Sequence, residues 1–165
     1  MSGSGLKIDW GGLDIMGRLT SGPAVARLKL AKDIGQALVS STVERFSTGT
    51  DPEGTAWKPA ARGGQTLANT GRLRNSIQAE VTPDYVIVGT NVKYARIHQE
   101  GGDIHAKKAR FLRFMAGGKP VFRKKVTIPA RPFMGISQDD LEEVGDLIDR
   151  HIKKMFRLEK KTLKV

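Results

Sequence analysis

The ten residues from Lys93 to Gly102, KYARIHQEGG, crowd a tyrosine, an arginine, a histidine and a glutamate ahead of a glycine pair. On a helix Tyr94 and His98 stand four apart and are neighbours. Such a pair suits general acid–base work if a third group orients the imidazole and a nucleophile lies within hydrogen-bond reach. Glu100 is only two positions from His98 and faces another way around the helix. A zinc hydrolase helix needs two histidines four apart with a glutamate between them, and this segment has one; His105 and His151 fall outside that spacing. The residue types fit better with an imidazole satisfied by a backbone group, holding a short helix against a loop, than with a reaction centre. Arg72, Arg74 and Arg131 come without a phosphate-cradling glycine loop, a Walker lysine or a dinucleotide fingerprint. They read as partners for carboxylates, within the domain or across a subunit boundary.

The elements that must position these groups are bounded first by composition. A chain of 165 residues is long enough for one domain with a real core. Cysteine is absent, which excludes disulfides, thiolate metal sites and thiol catalysis. Lys and Arg number 28 against 17 Asp and Glu, a net charge of +11. Such a field draws nucleic acid or the acidic face of a protein. The charge gathers in two places: Lys107 through Lys125, and the tail with Lys153, Lys154, Arg157, Lys160, Lys161 and Lys164 around a single acid, Glu159. Each is either a solvated basic face or a contact to DNA or an acidic partner. No apolar run approaches the roughly 18 residues of a membrane span, and MSGSGLKIDW carries no signal pattern, so residence in a cytoplasm without membrane contact is expected.

Along the chain, Leu6, Ile8 and Trp10 alternate with polar residues and predict a short strand. From Pro23 to about Phe46 a long amphipathic helix is expected, with Ala24, Leu28, Ala31, Gly35, Leu38, Thr42 and Phe46 on its inner side. Asp51, Pro52, Glu53 and Gly54 match a type I turn inside a polar loop whose one aromatic, Trp57, either anchors it to the body or awaits a partner. LANTGRLRNSI predicts a short helix capped by Asn69 or Thr70, with Leu73 and Ile77 inward. IQAEV and YVIVGT read as a hairpin. Asn91 is placed to cap the helix of the opening stretch, and Gly101 with Gly102 to close it. Strands on either side of Gly117 and Gly118 make a second, basic hairpin. IPARPFMGIS is an extended connector because of its prolines. Ser137 and Asp140 form a capping box for a last helix with Leu141, Val144, Ile148, Ile152, Met155 and Phe156 on its apolar face. The whole is an α+β domain, two long helices packed on a mostly antiparallel sheet, with a protruding hairpin and loop.

Four blocks, RFSTGTDPEGTAWKP, LANTGRLRNSI, VGTNVKYARIHQEGG and IPARPFMGIS followed by DDLEEV, come in the order and rough spacing of the phage virion morphogenesis family, the tail-completion proteins of Mu-like phages. The chain resembles that family over about residues 23 to 150. The resemblance implies a structural protein of the virion neck, at the head–tail junction, with no catalysis, metal or cofactor. It implies self-association into a ring, expected six-fold, stacked against head-connector and tail-terminator or tail-tube proteins, with genomic DNA in the channel as a further contact. Relatives often carry an apolar residue after the His-Gln pair; this chain has Glu100.

Heterologous contacts in a closed ring bury two different patches per subunit. The interface candidates are Trp57, Arg72, Arg74, Phe111, Phe114, Phe122 and Arg131; those for DNA or an acidic partner are the six cations of the tail. The alternative from another class is a basic nucleic-acid-binding protein driven by that tail, and a metal-dependent hydrolase centred on His98 comes third.

Overall fold

The computed structural model describes residues 5–9, 24–107 and 110–162, with the backbone alone described in 5–9 and 158–162. Within them the fold is α+β. Strand β1 (Gly5–Asp9) and helix α1 (Ala24–Thr48) precede a long loop and a single 3-10 turn (Arg74–Ser76). Then come β2 (Gln78–Val81), β3 (Tyr85–Gly89), the short helix α2 (Ala95–Glu100), β4 (Gly102–His105), β5 (Leu112–Ala116), β6 (Lys119–Arg123), β7 (Lys125–Ile128) and helix α3 (Gln138–Thr162). The expected single sheet is instead three small ones: a three-stranded sheet in the order β1-β3-β2, and the antiparallel pairs β4-β7 and β5-β6. Trp10 and the rest of the possible N-terminal arm, outside β1, lie beyond the described residues.

The described residues pack as two compact units. One holds residues 24–41 of α1, the β2-β3 hairpin and α3. Leu30, Ala31, Ile34 and Leu38 give α1 a buried stripe at steps of three and four. Ile34, with 1% of its surface exposed, lies at the centre of that stripe and was not among the residues placed on the helix's inner side. Gly35 lets the helix lie close on the sheet, since a Cβ there would stand 3.0 Å from both Ala79 Cβ and Val81 Cγ1. The turn between β2 and β3 is held by Thr82, whose N–H donates to Tyr85 O at 2.9 Å while its hydroxyl accepts from Tyr85 N at 3.1 Å. At the start of α3 the capping box is reciprocal: Asp140 N donates to Ser137 Oγ at 3.1 Å and Ser137 N to Asp140 Oδ2 at 2.7 Å. The apolar face of α3 is narrower than its sequence suggests. Val144, Ile148, Ile152 and Met155 are half-buried, whereas Leu141 and Phe156 remain 54% and 52% exposed.

The other unit holds Thr42–Ile77 and Gly89–Gly135. Its core is aromatic: Phe46, fully buried, meets Trp57 edge-on at 5.7 Å and Phe133 at 5.3 Å between ring centroids. The predicted turn at Asp51 is present, with Gly54 N donating to Asp51 O at 3.0 Å and the Asp51 carboxylate accepting from the backbone of Glu53 and Thr55. The helix predicted in LANTGRLRNSI is one 3-10 turn in which Leu73 and Ile77 are buried as expected. Neither Asn69 nor Thr70 caps it: Leu73 stands at its N-terminus without a side-chain cap bond, and Thr70 Oγ1 accepts from Arg72 N at 3.4 Å ahead of the turn. Asn91 does not cap α2. Thr90 Oγ1 instead accepts from Val92 N at 3.2 Å, and Val92 O accepts from Ala95 N at 3.0 Å.

Candidate functional site

The connector from Pro129 to Ser137 has no helix or sheet partner, so its backbone polar groups must be met by side chains. The side chains of three residues do this, and a fourth residue, in the connector itself, ties it to the loop. Gln99 donates from Nε2 to Met134 O at 2.9 Å and accepts at Oε1 from the N–H groups of Phe133 and Met134, both at 3.0 Å. Trp57 Nε1 donates to Pro132 O at 2.9 Å. Arg45, buried at the end of α1, donates from Nη1 to Phe133 O at 3.1 Å and to Gly135 O at 2.9 Å. Arg131 reaches the other way, from Nε to Lys58 O at 2.7 Å and from Nη2 to Pro59 O at 2.9 Å, while its own N–H donates to His98 O at 2.7 Å. From the opening stretch the Gln99 side chain and the His98 carbonyl therefore act as part of a clamp on an extended segment. Arg45 stood in the sequence only as one of the positions carrying the family resemblance, and neither it nor Gln99 was placed at a site; the signal available was a proline-bounded segment whose backbone needed partners.

Beside this clamp is a cleft of about 350 Å³ lined by Ala60, Arg62, Leu67, the turn from Asn69 to Leu73, Tyr94, His98 and Arg131. Gly71 adopts φ +71°, which lets the turn fold over the cleft and presents Arg72 on its exposed side. Tyr94 and His98 are neighbours as their spacing predicts, with rings edge-on at 5.9 Å. The imidazole is not satisfied by a backbone group: Nδ1 is shut away from solvent with no hydrogen-bond partner. Burial holds the His98 pKa below its ordinary value, and the positive charge of Arg131 adds to this. Burial also disfavours the charged form of Arg131, although a guanidinium stays protonated at any ordinary pH. Among the described residues no carboxylate lines the cleft and no three metal-ligating side chains gather.

A pH dependence follows from the two shifted histidines. Burial lowers His151 too; it lies in a crevice with Lys29, Asp33 and Lys154, of which Asp33 opposes the shift. Both rings are neutral in the folded chain at a pH where the unfolded chain already binds protons. Stability is then complete above the unfolded value, about 6.5, and is lost as pH falls through the lower folded values. Chemical denaturation between about pH 7.5 and pH 5 should show this fall, and His98→Gln should flatten it. An unchanged slope in that variant would remove His98 from the account.

Of the residues picked from sequence, Arg72 and Arg131 meet in the cleft, and Arg62 joins them without having been foreseen. Arg74 stands apart, with Nε donating to Asn75 Oδ1 at 3.2 Å. Trp57 is an anchor, 7% exposed, and has little surface left for a neighbour. Phe111, Phe114 and Phe122 belong to the β5-β6 hairpin. Its register pairs Arg113 with Phe122 and Met115 with Pro120, so alternation puts Phe111, Arg113, Met115, Pro120 and Phe122 on one face. That face is open: Met115 is 49% and Phe122 54% exposed. Leu112, Phe114, Ala116 and Val121 form the half-buried face behind it. Gly117 and Gly118, at φ +56° and +75°, make the two-residue tip, and Gly117 N donates to Ala61 O at 3.1 Å. Lys153, Lys154 and Arg157 are exposed on α3. Lys160 and Lys161 lie on its last turns with side chains outside the described set, and Lys164 lies outside the described residues.

Residues 13–153 match the phage virion morphogenesis family. The chain is 34% identical over 132 residues to the "Mu-like prophage FluMu G protein 2" of Haemophilus influenzae, spanning 77% of this chain and 82% of that protein. It is 27% identical over 158 residues to the "Putative capsid assembly protein G" of Escherichia phage Mu, 88% of each chain. No solved structure matches it.

Proposed function

The chain belongs to the phage virion morphogenesis family, and on that premise we propose that it is a non-enzymatic structural part of the head–tail junction, acting by self-association into a ring and by docking to connector and tail proteins. The observation that carries this reading is the open face of the β5-β6 hairpin. Large apolar side chains on both strands of a two-stranded ribbon are costly to leave in water, and an exposed patch of that kind, with the Arg113 guanidinium set within it opposite Phe122, has the anatomy of a protein interface. The name of the phage Mu relative speaks of capsid assembly, which suits a part that meets the head as well as the tail.

The test is Phe122→Ser in the phage or prophage. Because Phe122 is exposed, the purified variant should keep its stability to within about 0.5 kcal/mol. Joined particles should fall about tenfold or more, as for loss of an interface anchor, with separate heads and tails visible by electron microscopy. Normal yields of joined infectious particles would remove the hairpin from the reading, and normal yields without the protein would remove the reading itself. The exposed cations Lys153, Lys154 and Arg157 favour a second reading, contact with DNA. It requires duplex binding that weakens steeply with salt and is lost on removing residues 157 to 165, with assembly intact.

A further inference from the structure

Among the described residues the cleft holds three arginines and a histidine with an unmet imidazole nitrogen, and no counter-charge. Arg72 has no side-chain partner among the described residues, Arg62 spends Nη2 on Gln65 O at 2.7 Å, and Arg131 is fixed by its two carbonyl contacts. A buried polar atom left unpaired costs free energy and asks for an explanation. His98 Nδ1 is such an atom, and it belongs to a side chain that lines a cavity.

We propose that this cleft is a receptor for carboxylate side chains on an acidic helix, supplied by the first half of α3 of a second copy of the chain. The inference rests on the self-association reading and names its contact. Arginine forks match carboxylates in geometry as well as charge. The walls formed by Ala60, Leu67, Leu73 and Tyr94 suit the methylene groups behind a carboxylate. They offer less to a duplex backbone, which is broad and charged along its length.

The source is argued from charge distribution. Six of the 17 acidic residues fall between Asp139 and Asp149 in a chain of net charge +11, and no other stretch is comparably acidic. Asp140 is occupied at the cap. Asp139, Glu142, Glu143, Asp146 and Asp149 are exposed, and their spacing puts them along one side of α3. Two different patches, a basic cleft and an acidic helix face, are what a head-to-tail contact between copies requires.

The experiment titrates a synthetic peptide of residues 137–149 into the full chain, with calorimetry for affinity and the His98 ring resonances as the local probe. Saturable binding is expected, and in its presence His98 should take up its proton at a higher pH, because a carboxylate beside an imidazole favours the charged form. Tyr94, Arg62, Arg72 and Arg131 face that ring in the free cleft and supply no such effect. Arg72→Ala should weaken binding about tenfold or more with thermal stability unchanged, and Arg72→Lys should recover part of it. The same peptide with amides in place of its acids should not bind.

Equal binding to Arg72→Ala, or an unmoved His98, overturns the proposal. So does competition in which inorganic phosphate or a short duplex displaces the peptide and binds more tightly through Arg72. Sedimentation of the full chain separates the two readings. Oligomers without peptide binding overturn the cleft and leave self-association standing; peptide binding by a chain that never associates, in solution or on particles, keeps the cleft's chemistry and overturns the second copy as its source.

Discussion

Phe46→Ala should lower the unfolding free energy by about 3–5 kcal/mol, the range for emptying a fully buried aromatic site. Phe46 has none of its surface exposed and stands between Trp57 and Phe133. Through these rings it joins the end of α1, the loop after it and the extended connector, three segments that share no regular secondary structure. Partial collapse around the cavity is hindered because Trp57 is held by its bond to Pro132 O and the connector by Arg45 and Gln99. Urea denaturation followed by far-UV circular dichroism gives the value, and Phe46→Leu should cost about half as much because it removes less volume. A loss below about 1.5 kcal/mol for the alanine variant would mean that the aromatic cluster is not the core of its unit.

Gly101→Ala should cost about 2–4 kcal/mol, from backbone strain and collision together. The residue closes α2 at φ +72° and ψ −175°, a conformation that side chains rarely tolerate. A Cβ there would lie 2.7 Å from Ala130 N and 3.1 Å from both Ala130 Cα and Ile128 O, all main-chain atoms that have no flexible end to swing away. The control is Gly117→Ala at the hairpin tip. It shares the positive φ but meets nothing within 4 Å, so only the strain of about 1 kcal/mol should remain. If the two variants lose equal stability in parallel melts, the close approach between Gly101 and the connector is not what constrains this position.

What the sequence disclosed was mostly local. α1, the β2-β3 hairpin, the β5-β6 hairpin and the capping box of α3 are each specified by residues within a few positions of one another, and each is present. The pairing of β4 with β7 was not legible: all four residues of β4 are exposed, so it has no alternation to read, and its partner lies beyond the intervening hairpin. Asn91 was a reasonable cap by type, but α2 begins only at Ala95, after Tyr94 and without a side-chain cap bond, and the turn ahead of it is held by Thr90 Oγ1 accepting from Val92 N. Leu141 and Phe156 were assigned to the apolar face of α3 because periodicity cannot report where the covering surface ends.

The site divides in the same way. The closeness of Tyr94 and His98 is a matter of helical spacing and was foreseen. Gln99 acts on residues 34 and 35 positions away and Arg45 on residues 88 and 90 away, and no local pattern encodes such distances. The unmet Nδ1 of His98 ran against expectation for the same reason.

The two-residue tip at Gly117 and Gly118 ties the sidedness of the β5-β6 ribbon to the parity of its length. Side chains alternate along a strand, so one residue inserted after Gly118 would carry Phe122 to the inner side and bring Val121 and Arg123 out, while the β5 side chains, Arg113 among them, keep their sides. Two inserted residues would restore the original sides with a longer reach. Length at this position can therefore vary in even steps without changing what the ribbon shows to water, and an odd step sets its two strands at odds, one strand turned over against the other.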